Sequence, residues 1–212
     1  MGDRRHVFLA VLRSPVLRRV ESAFLAFSVA EWATWVAIVV YAYGRGGAAE
    51  AGIVAAIQLA PSIIVAPAAS ALGDRFARGA VLVGAYALQG ATMAAAAAVL
   101  LLDASPLVVY ALATLTATAI TLTRPLQASL LPEVVGTPEE LTAANVASGT
   151  VESAGSLLGP VVASGLIFLG GPGLVFAACS AGRLVSAAAL VPLGRRAARA
   201  RVEALAARAA AT

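Results

Sequence analysis

Charge is scarce in this chain, and lysine is missing altogether. Only 12% of the 212 residues are charged, about half the share of a soluble domain, so water is not the main solvent of this protein. All fifteen basic residues are arginines, and they gather at the ends of apolar runs rather than among aromatics. The formal net charge of +4 therefore points to a membrane surface, and no nucleic-acid partner is expected. There is one cysteine, Cys179, inside an apolar stretch, and one histidine, His6, in a basic tail. These exclude a disulfide framework and leave no metal-ligand spacing, so Cys179 reads as a small buried hydrophobe and His6 as a solvated surface residue. No nucleophile–base pairing and no phosphate loop is found either, and neither an enzyme nor a cofactor or metal protein is expected.

What the chain has in abundance is apolar length. Hydrophobic residues make up 60% of it, with a mean hydropathy of +0.89. Roughly 20 apolar residues cross the hydrocarbon core as a helix, and six such windows occur, at 21–43, 51–72, 80–102, 106–128, 141–168 and 172–194. Short connections carrying turn residues lie at 44–50, 103–105 and 169–171, and the other two connections are more charged. The expected fold is an all-α membrane protein with six transmembrane helices. Residues 1–20 form an N-terminal tail, 21–194 the bundle and 195–212 a basic tail whose Arg, Ala and Leu pattern predicts an amphipathic surface helix.

Positive residues stay on the cytoplasmic side. Thirteen of the fifteen arginines fall in the two tails, in the second connection as Arg75 and Arg78, or as Arg124 toward the inner end of the fourth span. Arg45 alone falls on the other side, and Arg183 lies within a span. Both termini are expected in the cytoplasm of a multi-pass protein of the cell membrane. The first apolar run follows basic residues as a signal peptide would, but it is longer, contains Glu31 and precedes five more spans, so it is expected to be retained. Thr137, Pro138 and Glu140 have the spacing of a helix start, with Thr as N-cap, Pro in the first turn and Glu in the capping-box position. Pro61 and Pro67 predict a bend in the second span. Small residues fill much of spans three to five, which lets helices approach closely.

Between the second and third spans the chain reads Ser70-Ala71-Leu72-Gly73-Asp74-Arg75-Phe76-Ala77-Arg78-Gly79. This resembles the cytoplasmic signature loop G-x-L-a-D-R-x-G-R-R of the major facilitator superfamily. Asp74, Arg75 and Arg78 match, while Ser70, Ala77 and Gly79 depart from it. In the fifth span, residues 155–165 look like the family's antiporter motif G-x-x-x-G-P-x-x-G-G: Gly155, Gly159 and Pro160 match, and Ala163 and Ser164 replace its last two glycines. The stretch 128–145 is similar to the corresponding loop of drug-exporter-like members, as is Ala30-Glu31-Trp32 in the first span; Arg124 and Gln127 loosely echo a fourth-helix motif. The resemblance runs from about Arg13 to Gly194 and implies the N-terminal half-bundle of a secondary transporter. It implies that Asp74, Arg75 and Arg78 form a cytoplasmic gate, and that the face of Gly155, Gly159 and Pro160 packs near the interface between two halves, as in proton-coupled exporters. The alternatives are that the three charges merely stop two helices at the interface, and that the glycines serve ordinary packing.

A charge near the bilayer centre costs on the order of 2.5–3.5 kcal/mol by insertion scales. Glu31, Glu152 and Arg183 each lie about midway through a span. Arg183 is expected to pair with Glu31 or Glu152, leaving the other carboxylate as the proton carrier; a structural polar lock is the alternative. Trp32 and Trp35 are candidates to line a cavity beside Glu31, or else packing residues. The resemblance implies proton-coupled efflux of a small molecule, with a second six-helix half as partner. The chain is then a fragment, a natural half-transporter or one copy of a dimer, unless it is a non-transporting subunit or a degenerate remnant. In a Cys179→Ser background, the substitutions Arg75→Cys and Arg199→Cys are expected to be labelled by an impermeant thiol reagent from the same side of the bilayer. Labelling from opposite sides contradicts the six-span topology.

Overall fold

In the computed structural model of the chain, residues 14–210 are described, without the side chains of 61–64, 66–75, 200–201 and 204–210. The expectations for His6 and for the side chains of Pro61, Pro67, Asp74 and Arg75 lie outside the described residues. The described chain is all helical, as four helices: α1 (Pro15–Arg75), α2 (Arg78–Leu101), α3 (Pro106–Val134) and α4 (Pro138–Ala210). All four contain windows long and apolar enough to cross a membrane.

A straight helix of the 61 residues in α1 would run about 90 Å, far beyond the ~30 Å of the hydrocarbon core. The backbone leaves helical geometry where the first short connection is expected, at Gly46 (φ −131°, ψ 20°) and Gly47 (φ 66°, ψ −154°). In the 73-residue α4 the same happens at the third, at Gly170 (φ −164°, ψ 20°) and Gly171 (φ 74°, ψ −176°). The second glycine of each pair occupies a region essentially closed to L side chains. Both helices double back there. Trp35 and Gln58, on either side of the α1 break, line one cavity; Gly155 and Arg183, on either side of the α4 break, both contact α1 near Phe27 and Ser28.

The remaining connections are tight. At the end of α2 the Leu102 N–H bonds to Ala98 O at 3.0 Å and the Ala104 N–H to Val99 O at 3.0 Å, around Asp103 at φ 48°. These satisfy carbonyls that a helix end leaves free. Pro106 then opens α3 at a position that needs no N–H donor. At the start of α4 the Glu140 N–H bonds to Thr137 Oγ1 at 3.2 Å, and the Glu140 carboxylate accepts the Gly136 N–H at 2.8 Å. The cap forms at the expected residues, with the glutamate reaching one residue further back than in a standard capping box.

Packing is out of sequence order. α1 and α2 both pack chiefly on α4, α3 lies against α1 and α2, and consecutive helices α1–α2 and α3–α4 barely touch. Small residues allow these approaches. A Cβ on Gly159 would lie 2.9 Å from Val29 O and 3.1 Å from Ala33 N; one on Gly155 would collide with Ser28, and one on Gly90 would sit 2.7 Å from Leu184 Cδ2. The two glycines of the antiporter-like motif thus pack against α1, inside the bundle. Around them, Phe24 and Phe27 stack at 5.5 Å, and Phe27 meets Tyr86 at 6.1 Å.

Gly47→Ala meets no neighbour within 4 Å, so its penalty is backbone strain alone. It is expected to lower stability by about 1–3 kcal/mol, whereas Gly52→Ala, also unobstructed but within a helix, raises it by up to ~1 kcal/mol. Thermal unfolding in detergent micelles checks the contrast; equal effects would show that the break does not depend on Gly47.

Candidate functional site: a shared arginine beside a cavity

The first segment of α1 carries Glu31, the first segment of α4 carries Glu152, and α3 carries Arg124 between them. Arg124 Nη1 donates to Glu31 Oε1 at 2.7 Å, and Arg124 Nε donates to Glu152 Oε1 at 2.9 Å. A guanidinium presents several donors in a fixed plane, so one side chain satisfies two carboxylates on different helices at once. Ser28, one turn before Glu31, donates to the carbonyl of Glu152 at 3.2 Å and holds the two acidic helices in register.

Arg183 takes a different place from the one expected of it. It pairs with neither Glu31 nor Glu152, because Arg124 occupies both from α3 while Arg183 projects from the second segment of α4. Fully buried, it donates from Nη2 to Phe27 O at 2.9 Å and lies 4.3 Å from the Phe27 ring centroid and 5.7 Å from that of Tyr86. Arg124 lies 5.7 Å from the same Phe27 ring. The aromatic ring thus lies near two cations, an attraction that strengthens where water is excluded. Arg183 Nε and Nη1 have no hydrogen-bond partner.

Beside the triad lies a cavity of about 460 Å³. Glu31, Trp32, Thr34 and Trp35 line it from the first segment of α1, Gln58 and Leu59 from the second, α3 contributes Thr116 and Thr121, and α4 contributes Phe176. The two indoles meet edge to face at 6.2 Å. Glu31, Trp32 and Trp35, adjacent along one helix, are thus brought to one cavity wall. Three polar atoms of that lining have no hydrogen-bond partner and are closed to water: Glu31 Oε2, Trp32 Nε1 and Gln58 Nε2. Buried polar atoms left unpaired are expensive, and those that persist call for an explanation.

Polar contacts also tie the bundle at both ends of α3. Near its start, the Tyr110 hydroxyl donates to Glu50, Arg45 lies 3.9 Å from the same carboxylate, and Tyr41 and Tyr110 meet edge to face at 5.9 Å. This fastens the break in α1 to α3. Near its end, Arg78 donates from Nη1 to Glu133 Oε1 at 3.0 Å and to Ser129 O at 3.1 Å. Of the three charges in the signature-like loop, Arg78 thus bridges two helices; Asp74 and Arg75 lie outside the described side chains. Between the ends, Gln89 donates to Thr123 Oγ1 at 2.8 Å, and Thr116 lies 2.8 Å from Thr92, joining α2 to α3. Pro160, beside Gly159, bends no backbone out of helical geometry.

Sequence reasoning passed over Arg124 as a charge near a helix end, and Gln58 altogether. A signal existed for the first: two mid-span acids with one mid-span base leave an acid unanswered, and Arg124 is the only other base within a span. Gln58 carries no charge and gave none.

Comparison of the chain with protein-family models, with curated proteins and with solved structures gives no match.

Arg124→Leu leaves both carboxylates without their cation. Their side chains are 19% and 44% exposed, so the loss is smaller than for a fully buried pair and is expected near 2 kcal/mol. Adding Glu31→Gln and Glu152→Gln to that variant is expected to restore most of the melting temperature measured by circular dichroism. Failure to restore it would show that Arg124 acts through packing rather than charge.

Proposed function

We propose that this chain acts in membrane transport, as one half of a secondary active transporter of the major facilitator type that exports a small molecule in exchange for protons. In this reading each segment on either side of the Gly-Gly breaks crosses the bilayer once, giving six crossings with both termini in the cytoplasm of the cell membrane. A second six-helix half, from a longer chain or a second copy, completes the carrier. The observation that carries the reading is the cavity placed against a triad of two carboxylates and one guanidinium within apolar helices. Ionisable residues at such depth are expensive and line substrate or proton routes. The match of two motifs to the family's pattern adds to it.

The triad suits proton exchange. Glu152 is the more exposed of the two acids, at 44% against 19% for Glu31. A proton arriving on Glu152 releases Arg124 to Glu31 alone, and the triad changes from a net charge of −1 to neutral. Such a change alters the contacts joining α1, α3 and α4, which is what coupling requires. Arg78 with Glu133 then serves as a tie on the cytoplasmic side that a rearrangement breaks and remakes.

A non-transporting six-helix subunit is the second reading. It is favoured by Gly155 and Gly159, which pack on α1 and not outward toward another half.

Expression in a drug-sensitive bacterium, followed by transport into inverted membrane vesicles under an imposed pH gradient, tests the proposal. Uptake is expected to follow the gradient, and Glu152→Gln is expected to lose the pH dependence while retaining exchange. Unchanged coupling in Glu152→Gln removes that residue from the mechanism, and no resistance and no uptake favours the subunit.

A further inference from the structure

Glu21, near the start of α1, is an acid that the ion triad leaves out. The residue is only 8% exposed. Its Oε1 accepts a hydrogen bond from the Ser148 hydroxyl on α4 at 2.6 Å, and its Oε2 has no hydrogen-bond partner and is closed to water. That single bond ties the first segment of α1 to the first segment of α4, one turn of α4 before Glu152.

The charged groups of every helix around Glu21 are engaged elsewhere or turned outward. On α1 itself, Arg18 and Arg19 are exposed. From α3, Arg124 is committed to Glu31 and Glu152, and from the second segment of α4, Arg183 gives its bond to the Phe27 carbonyl. From α2, Tyr86 is near enough to interact electrostatically with Glu21 and with Arg183, yet its hydroxyl bonds to neither. Among the described residues, no arginine forms an ion pair with Glu21. A carboxylate offers about four acceptor sites, and here one neutral hydroxyl is all that replaces its water. An uncharged carboxyl loses far less on burial.

We propose that Glu21 is a proton-binding site: its carboxyl is uncharged while α1 and α4 are packed at this end, and it gives the proton to water as the two helices part. The carboxylate then gains hydration and the guanidinium of Arg18, three residues away on the same side of the helix. Proton binding therefore closes this end of the bundle. The packed state holds one proton more than the parted state, so packing weakens as pH rises above about 4.3, where a free glutamate ionises. The inference rests on the packing of Glu21 and stands apart from the transport reading, which assigns its proton to Glu152.

Infrared spectra of the full chain in an ester-free detergent at about pH 6 test the protonation, since exposed glutamates are ionised there. Wild type is expected to show the carbonyl stretch of a protonated carboxyl, and Glu21→Gln to lose it. Ser148→Ala removes the one hydrogen bond that a charged carboxylate would hold. It is expected to keep the band up to a pH about one unit higher than wild type does. Parting is read at Ala144, fully buried at this end beside Leu17 and Leu131. In a Cys179→Ser background, Ala144→Cys is labelled by a thiol reagent at about pH 8. Adding Glu21→Gln is expected to slow the labelling at least about fivefold, because no charge then favours the parted state.

A spectrum without a protonated carboxyl, or one whose band survives in Glu21→Gln, overturns the proposal. So does a band that Ser148→Ala leaves unmoved or shifts to lower pH, a comparison that keeps Glu21 itself and decides the matter even where Glu21→Gln folds poorly. Equal labelling of Ala144→Cys with and without Glu21→Gln overturns the link between the proton and the packing. Loss of pH-dependent transport in Glu152→Gln, or its retention, bears on the preceding reading and leaves these outcomes unchanged.

Discussion

Arg124 on α3 answers carboxylates from two other helices, and much of the bundle is oriented by that requirement. A charge in hydrocarbon is tolerated only with partners, and here three charges share one set of hydrogen bonds. A helix turns by about 100° per residue, so rotating α1, α3 or α4 by a single position would strand at least one of them. The register that brings Glu31 to Arg124 also presents Trp32 and Trp35 to the cavity and Phe27 to the two cations. On the same side of the helix it brings Ser28 against Gly155. Cavity, ion triad and tight glycine contact are three consequences of one azimuthal setting.

Arg183 resolves a similar difficulty by other means. Lacking a carboxylate, it uses a backbone carbonyl and two ring faces. Such an arrangement holds a cation in place without offering it for exchange, since neither a carbonyl nor a ring takes up a proton at ordinary pH. Arg124, by contrast, is partnered by two carboxylates. The two arginines lie near the same phenylalanine ring and differ in what surrounds them.

This difference marks how far the chain could be read before its structure. Depth along a helix is legible from residue position, so the short connections at Gly46-Gly47 and Gly170-Gly171, the gap before Pro106 and the cap at Thr137 all occur where the residues indicate. Trp32 and Trp35 share a wall with Glu31 because neighbours on one helix stay neighbours. Azimuth between helices is another matter: which of two arginines meets Glu152 depends on how helices far apart in the chain rotate against one another, and nothing in local spacing reports it. The glycine row of the fifth span was legible as a close-packing face, but its partner, α1, was not. Gln58 illustrates a further gap, since an uncharged polar residue in an apolar run gives no warning that its amide will be left unpaired.

The out-of-order packing bears on how the chain assembles. Helices that meet are mostly remote in sequence: Ser28 waits for Glu152, 124 residues later, and the carbonyl of Phe27 for Arg183, 156 residues later. During synthesis, which proceeds at about 5–20 residues per second, the earliest segment therefore spends many seconds with its glutamate and its aromatic cluster unanswered. The final hairpin of α4 acts as a keystone for everything made before it, and a nascent chain stopped at residue 134 would hold Glu31 and Arg124 together but leave the groove for α4 open to whatever helix arrives first.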